Sequence, residues 1–108
     1  MFGKIGEMGN LLKQAQDIKG KMAKIRDDLA RLEVVGSSGG EFVKVVADGE
    51  MTIKSVVIKP ECLNPADAEM VEDMVLTAVN AAIAEAKKLS QEKMSELTMG
   101  FKIPGLFP

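Results

Sequence analysis

Histidine, tryptophan and tyrosine are absent from this 108-residue chain, and cysteine occurs once, at Cys62. Without histidine the chain lacks the side chain that most often moves protons near neutral pH. It also lacks the usual activator of a cysteine nucleophile. A single cysteine excludes an intramolecular disulfide and fits a reducing compartment. With only four Phe as aromatics, aliphatic side chains and the eight Met must fill the core. No segment approaches the roughly 20 consecutive apolar residues that span a bilayer. The start, Met1 to Gly6, lacks the apolar stretch of a secretory signal. The expectation is a cytoplasmic protein that does not enter a membrane.

What is present is ordinary for a folded domain: 46% hydrophobic and 28% charged residues, in a length that folds as one unit without staples. The net charge of −2 hides an uneven distribution. Residues 1–26 carry six basic and two acidic side chains, residues 27–60 four and six, and residues 61–108 four and eight. The basic charge sits at the front of the chain.

Met8, Leu11, Ala15, Ile18, Met22, Ile25, Leu29 and Leu32 recur at alternating spacings of three and four, which is the seam of a long helix facing another helix. Gly20 falls on the outer face. Gly36 to Gly40 interrupt this pattern between strand-prone Val34-Val35 and Phe42 to Val46, so a first hairpin turns near Gly39. Asp48-Gly49 marks a second, tight type I′ turn into a strand over Met51 to Ile58. In that strand Met51 and Ile53 share one parity and Val56 and Ile58 the other. A bulge around Lys54-Ser55, or burial of both faces with a second copy covering one, accounts for the switch. Asn64-Pro65-Ala66-Asp67 reads as a helix start, with Asn64 as N-cap and Pro65 at the first helical position.

Val71, Val75, Ala78, Val79, Ala82, Ile83, Ala86 and Leu89 form the apolar face of that second helix, and its alanines permit close approach of a neighbour. Beyond Leu89 the sequence has little to bury, so that end is expected to project. Altogether the chain reads as one α+β domain over 1–108: a long helix over about 5–33, strands over about 34–59 forming a three-stranded antiparallel meander, a second helix over about 65–97, and a Gly/Pro-rich tail at 98–108.

A helix of about 25 residues is roughly 37 Å long, against a radius of gyration of about 13 Å for a compact chain of this size. The apolar seam therefore meets another chain in a closed homodimer, or the second helix in an intramolecular hairpin. Glu69, Glu72 and Asp73 read as solvated residues of a helix start, favoured by the helix dipole, rather than as a metal site. Gly36 to Gly40 lack the Lys-Ser/Thr ending and the strand-loop-helix setting of a P-loop. The sequence thus points away from an enzyme and from any cofactor, metal or small-molecule substrate, and toward binding. Lys13, Lys19, Lys21, Lys24 and Arg26 lie off the apolar seam, where they form either a phosphate-neutralising surface or a solvated helix face.

Several stretches, in order, resemble the YbaB/EbfC family of bacterial nucleoid-associated proteins. They are Met1-Phe2-Gly3-Lys4, Leu12-Lys13-Gln14-Ala15-Gln16, Leu32-Glu33-Val34, Phe42-Val43-Lys44-Val45, Gly49, Ile58-Lys59-Pro60-Glu61, Met74-Val75, Ala78-Val79-Asn80-Ala81-Ala82, Glu92-Lys93-Met94 and the Pro-Gly tail. Each is short, but the order and spacing run through the whole chain. The resemblance implies an α-β-β-β-α subunit and a tweezer-like homodimer with projecting helical arms. It also implies binding of duplex DNA with little or modest sequence preference, in the nucleoid of the bacterial cytoplasm, contributing to nucleoid organisation and gene regulation without catalysis. Carried over by position, the DNA-facing residues are Lys13, Lys19, Lys21, Lys24 and Arg26 on the first helix and Lys87, Lys88 and Lys93 on the second. The second helix here is acidic overall, so weak, strongly salt-dependent affinity is expected. The rival reading is a protein-interaction adaptor dimer whose arms grip another protein without touching DNA.

Overall fold

Thirty consecutive residues, Phe2–Arg31, form the helix α1 of the computed structural model, which describes residues 2–101 and, for side chains, 6–97. Strands β1 (Glu33–Ser38), β2 (Val43–Asp48) and β3 (Ile53–Ile58) follow as an antiparallel meander in the order β1-β2-β3. Two short 3-10 turns, Pro60–Cys62 and Pro65–Asp67, lead into the helix α2 (Ala68–Phe101). The element order is α-β-β-β-α, as the sequence pattern requires. Asn64 caps the start of the second helical stretch by accepting the Ala66 N–H at 3.2 Å, although the first turn is 3-10 and α geometry begins only at Ala68. α2 reaches Phe101, past the position where the sequence pattern places its end, and the remainder of the expected tail, 102–108, lies outside the described residues.

The core is a thin layer between α2 and one face of β1 and β2. Val43, Val45 and Ala47 alternate onto this face of β2 and are fully buried against Ala78 and Ala82, with Val34, Met74, Val75 and Val79 around them. Complete burial of each valine contributes about 1.5–3 kcal/mol. The helix comes this close because the residues at the crossing are small. A Cβ added to Gly36 would overlap the backbone nitrogen of Ala82 and the carbonyl oxygen of Ala78. One turn along, the Ser38 hydroxyl donates to the Met74 carbonyl at 2.5 Å, which ties β1 to α2.

The two hairpins depart from one another in construction. The β1–β2 connection turns through Gly39, Gly40 and Glu41, all with positive φ, near where the sequence places it. Between β2 and β3, however, Asp48-Gly49 does not form a two-residue type I′ turn: β2 ends at Asp48 and β3 begins at Ile53. The Asp48 carboxylate organises this longer loop, accepting the N–H groups of Glu50 at 2.9 Å and Thr52 at 3.1 Å. Gly49 serves the helix instead, since its N–H donates to the Leu29 carbonyl at 2.8 Å. The parity switch in β3 is a bulge, with Ser55 paired to Val46 and Ile53 to Ala47, so that Lys54 is the extra residue.

α1 and α2 lie side by side and antiparallel beyond the sheet. Met22, Ile25 and Leu29 of α1 face Ser90 and Met94 of α2 across one groove, and Lys21 and Ile25 face Lys93 and Leu97 across another. The end of α2 is therefore not free of packing, contrary to its polar sequence, because Leu97 is buried and Met94 half-buried against α1. The seam of α1 divides in two. Ile18, Met22, Ile25 and Leu29 are partly or fully buried, whereas Met8, Leu11 and Ala15 are exposed. Helices that extend past the sheet give the molecule extents of 77 × 26 × 17 Å and a radius of gyration of 21.0 Å, well above the roughly 13 Å of a compact chain of this length.

Candidate nucleic-acid interface

Helical geometry, at about 100° per residue, sorts the basic residues of α1 onto two flanks of its apolar seam. Lys13, Lys21 and Lys24 lie on one flank, and Lys19 and Arg26 on the other. All five are exposed. Two members of the first flank face α2: Lys21 and Lys24 line an inter-helix groove together with Lys93, Ile25 and Leu97, and Lys13 is not among its lining residues. The second flank opens toward the β2–β3 loop, where Arg26 shares a groove with Glu50, Met51 and Thr52. The candidates from sequence are thus not one surface but two.

On α2, Lys93 is the member that joins a cluster with α1. Lys87 and Lys88 are exposed on a different side of the helix from the buried Ala82, Ala86 and Leu97. Two acidic residues outside the sequence-derived set, Asp28 and Glu96, also line the groove of Lys21, Lys24 and Lys93. Their positions were readable from spacing, since Asp28 stands two turns from Lys21 and Glu96 stands at i+3 from Lys93. Half-buried Lys93 and exposed Glu96 form a surface ion pair at 3.8 Å, a class of contact worth at most about 1 kcal/mol and weakened by salt. The groove is consequently a mixed surface whose cations are partly engaged with local carboxylates.

A second surface is apolar. α2 packs over β1 and β2, and β3 lies beyond it at the sheet edge. The bulge leaves β3 with valines on both faces, Val56 at 45% and Val57 at 56% exposure. Val35, Phe42, Met51 and Ile53 are exposed large hydrophobics of the same sheet region. An edge strand that is apolar on both sides is a place where chains pair. At one end of this strand Asp48 is buried and bridged to Lys54 at 3.4 Å. Its carboxyl is held below the usual carboxylate range by the N–H of Thr52 and then that of Glu50, with Lys54 assisting, while partial desolvation opposes the shift. Among the described residues no cluster of His, Cys, Asp or Glu is arranged to hold a metal ion. No helix among them is long and apolar enough to cross a membrane.

Taken together, the fold and surfaces define an α-β-β-β-α protein with a covered sheet, an exposed apolar edge and two long helices carrying the basic side chains. The sequence profile of the YbaB/EbfC DNA-binding family matches residues 4–101, and the chain belongs to that family. It is 43% identical over 106 residues to a nucleoid-associated protein of Clostridium kluyveri, covering 98% of this chain and 93% of that protein. It is 44% identical over 103 residues to a nucleoid-associated protein of Exiguobacterium sibiricum, covering 95% and 97% respectively. Its fold is similar to the crystal structure of an uncharacterized protein from Helicobacter pylori, with a TM-score of 0.67, 18% identity and coverage of 86% of this chain and 94% of that one.

Proposed function

We propose that the chain is a nucleoid-associated protein that binds duplex DNA as a homodimer, through its helical arms, with little or modest sequence preference. The observation that carries this reading is the convergence of Lys21 and Lys24 from α1 with Lys93 from α2 on one groove of the projecting arms. Three ammonium groups so placed neutralise phosphates without reading base edges, since lysine acts as a point charge and carries little geometric code. A homodimer, joined along β3, covers Val56 and Val57 and presents the set twice. Similarity to bacterial nucleoid-associated proteins supports a role at the nucleoid of the cytoplasm, with a contribution to nucleoid organisation and gene regulation by binding rather than catalysis. Lys13, Lys19, Arg26, Lys87 and Lys88 supply additional, weaker electrostatic attraction around the groove.

The adaptor reading draws on the groove's carboxylates, Asp28 and Glu96, and on the overall net charge of −2, which disfavour a polyanion. Titration of a labelled duplex of ~30 bp by fluorescence anisotropy, at several salt concentrations and with single-stranded RNA as competitor, separates the two. For B-DNA the slope of log affinity against log salt is about −0.9 per neutralised phosphate. Binding with a slope of several contacts and a preference for duplex supports the DNA reading. Absence of binding at low salt favours the adaptor.

A further inference from the structure

The β2–β3 loop fastens to α1 at one end of the sheet, and the β1–β2 turn lies at the other. At that other end, where α2 begins, two hollows meet. One is lined by Phe42, Glu61, Cys62 and Asp67, the other by Ser38, Glu69, Asp73 and Thr77. Both are also lined by Gly39, Met70 and Met74, so they form one continuous groove.

The floor of the groove is apolar and adaptable. Phe42 is 40% and Met70 48% exposed, and Met74 is half-buried. Unbranched thioethers repack around different shapes at low cost. A Cβ on Gly39 would overlap the sulfur of Met74, so glycine in the turn is what lets this side chain lie against it. Residues 102–108 attach at Phe101, about 40 Å along α2 from Met74 at 1.5 Å per residue. Seven residues fully extended span at most about 25 Å and do not reach this floor.

The rim is acidic. Glu61, Asp67, Glu69 and Asp73 are all exposed, and none forms an ion pair with another described residue. From Glu61 to Ala86 the chain carries six carboxylates and no Lys or Arg. Lys59 stands 5.8 Å from the centre of the Phe42 ring, so that ring already takes a cation on its face. The helix dipole favours Glu69 in the first turn of α2, but it fades within that turn. It accounts neither for Asp73 and Glu61 nor for the exposed apolar side chains between the carboxylates.

We propose that this groove docks a cationic amphipathic segment of a partner protein. Its large apolar side chains fill the space over Phe42, Met70 and Met74, and its flanking Lys or Arg meet Glu61, Asp67, Glu69 and Asp73. Charge selects this occupant, because the rim repels nucleic acid and acidic protein surfaces alike. A second copy of the chain offers its basic arms, but Lys21, Lys24 and Lys93 there already share their groove with Asp28 and Glu96. The docking groove and the arms lie at opposite ends of the molecule, so the inference stands whether or not the arms bind DNA.

The probe is a fluorescent peptide of ~14 residues, leucine and lysine only, patterned as an amphipathic helix. It is titrated with the full chain by anisotropy, beside a peptide of the same composition in scrambled order. The patterned peptide is expected to bind at least tenfold more tightly. Met70→Gln, at an exposed position that circular dichroism should show to be tolerated, is expected to bring the two peptides within about twofold of each other. Glu69→Gln/Asp73→Asn is expected to weaken both peptides about fivefold at low salt and less at high salt, where screening is strong. Lys21→Gln/Lys24→Gln, on the arms, should leave the preference intact. Equal affinity of the unaltered chain for the two peptides, no binding of either at low salt, or a preference that survives Met70→Gln overturns the proposal. Sedimentation of the peptide-free chain reads the competing occupant: if Met70→Gln lowers the self-associated mass, the groove belongs to a second copy and the proposal falls.

Discussion

The N–H of Gly49 donates to the carbonyl of Leu29 at 2.8 Å, which fastens the β2–β3 loop to the last turn of α1. A Cβ placed on Gly49 would stand 2.8 Å from that carbonyl oxygen and 2.7 Å from Cδ2 of Leu29. The arm and the sheet are therefore joined where no side chain fits. Gly49→Ala is expected to destabilise the protein by about 1–3 kcal/mol, the usual range for an overpacked contact. Gly36→Ala meets only helix backbone, at Ala78 and Ala82, and is expected to lie at the top of that range or above it. Gly20→Ala has open space around it and is expected to stabilise by about 0.5–1 kcal/mol through helix propensity. Urea unfolding of the three variants, at fixed protein concentration, checks the order.

The loop held by Asp48 is expected to confer acid sensitivity. Its folded carboxyl titrates below the ordinary carboxylate value, because the ionised form accepts from Thr52 and Glu50 and faces Lys54. A depressed folded pKa means that the contribution is complete above the unfolded value, near 3.9, and is lost as the pH falls through the lower folded value. Asp48→Asn should flatten the fall in stability below about pH 4 while lowering stability at neutral pH. Denaturation midpoints between pH 2.5 and 7 for the wild type and the variant, compared pairwise, provide the check; parallel curves would remove Asp48 from the account.

The sequence revealed the order of elements because each signal was local: the seam of α1, the glycines near Gly39, and the Asn64-Pro65 start. The bulge at Lys54 was also legible, as a break of parity between Ile53 and Val56. What was not legible depended on neighbours distant in sequence. Asp48-Gly49 carries the dipeptide of a tight turn, but the approach of Leu29 and the hydrogen bonds of Asp48 impose a longer loop. Leu97 stands among polar residues and gives no amphipathic signal, and it is buried only because α1 runs alongside it. In the candidate site the basic residues were visible individually. Their division between two flanks, and the choice of Lys93 over Lys87 and Lys88 as the partner of Lys21 and Lys24, required the pairing of the helices.

Val57→Asp is expected to convert a dimer joined along β3 into a monomer without unfolding the subunit. Val57 is 56% exposed in the single chain, so the substitution buries no charge there, and it spares Val43 and Val45 beneath α2. In a paired edge the same carboxylate would be desolvated twice, once in each copy, which costs several kcal/mol unless it finds a partner. Sedimentation equilibrium reads the mass and circular dichroism the fold. A variant that keeps both the wild-type mass and the wild-type dissociation constant would exclude β3 from the interface.

Lys21→Gln/Lys24→Gln is expected to weaken duplex binding equally on unrelated sequences and to make its salt dependence shallower. Each lost phosphate contact removes about 0.9 from the slope of log affinity against log salt. Two contacts per subunit, counted twice in a dimer, therefore lower the slope by up to about 3.6. Lys88→Gln, on the other side of α2, should change the slope by less than one contact. Conversely, Glu96→Gln frees Lys93 from its ion pair and removes a negative charge from the groove, so it should raise affinity most at low salt, where screening is least. Anisotropy titrations from 25 to 200 mM salt on two unrelated duplexes would separate these cases. If Lys88→Gln lowered the slope as much as the double variant while Glu96→Gln had no effect, the groove between the helices would not be the surface that meets DNA.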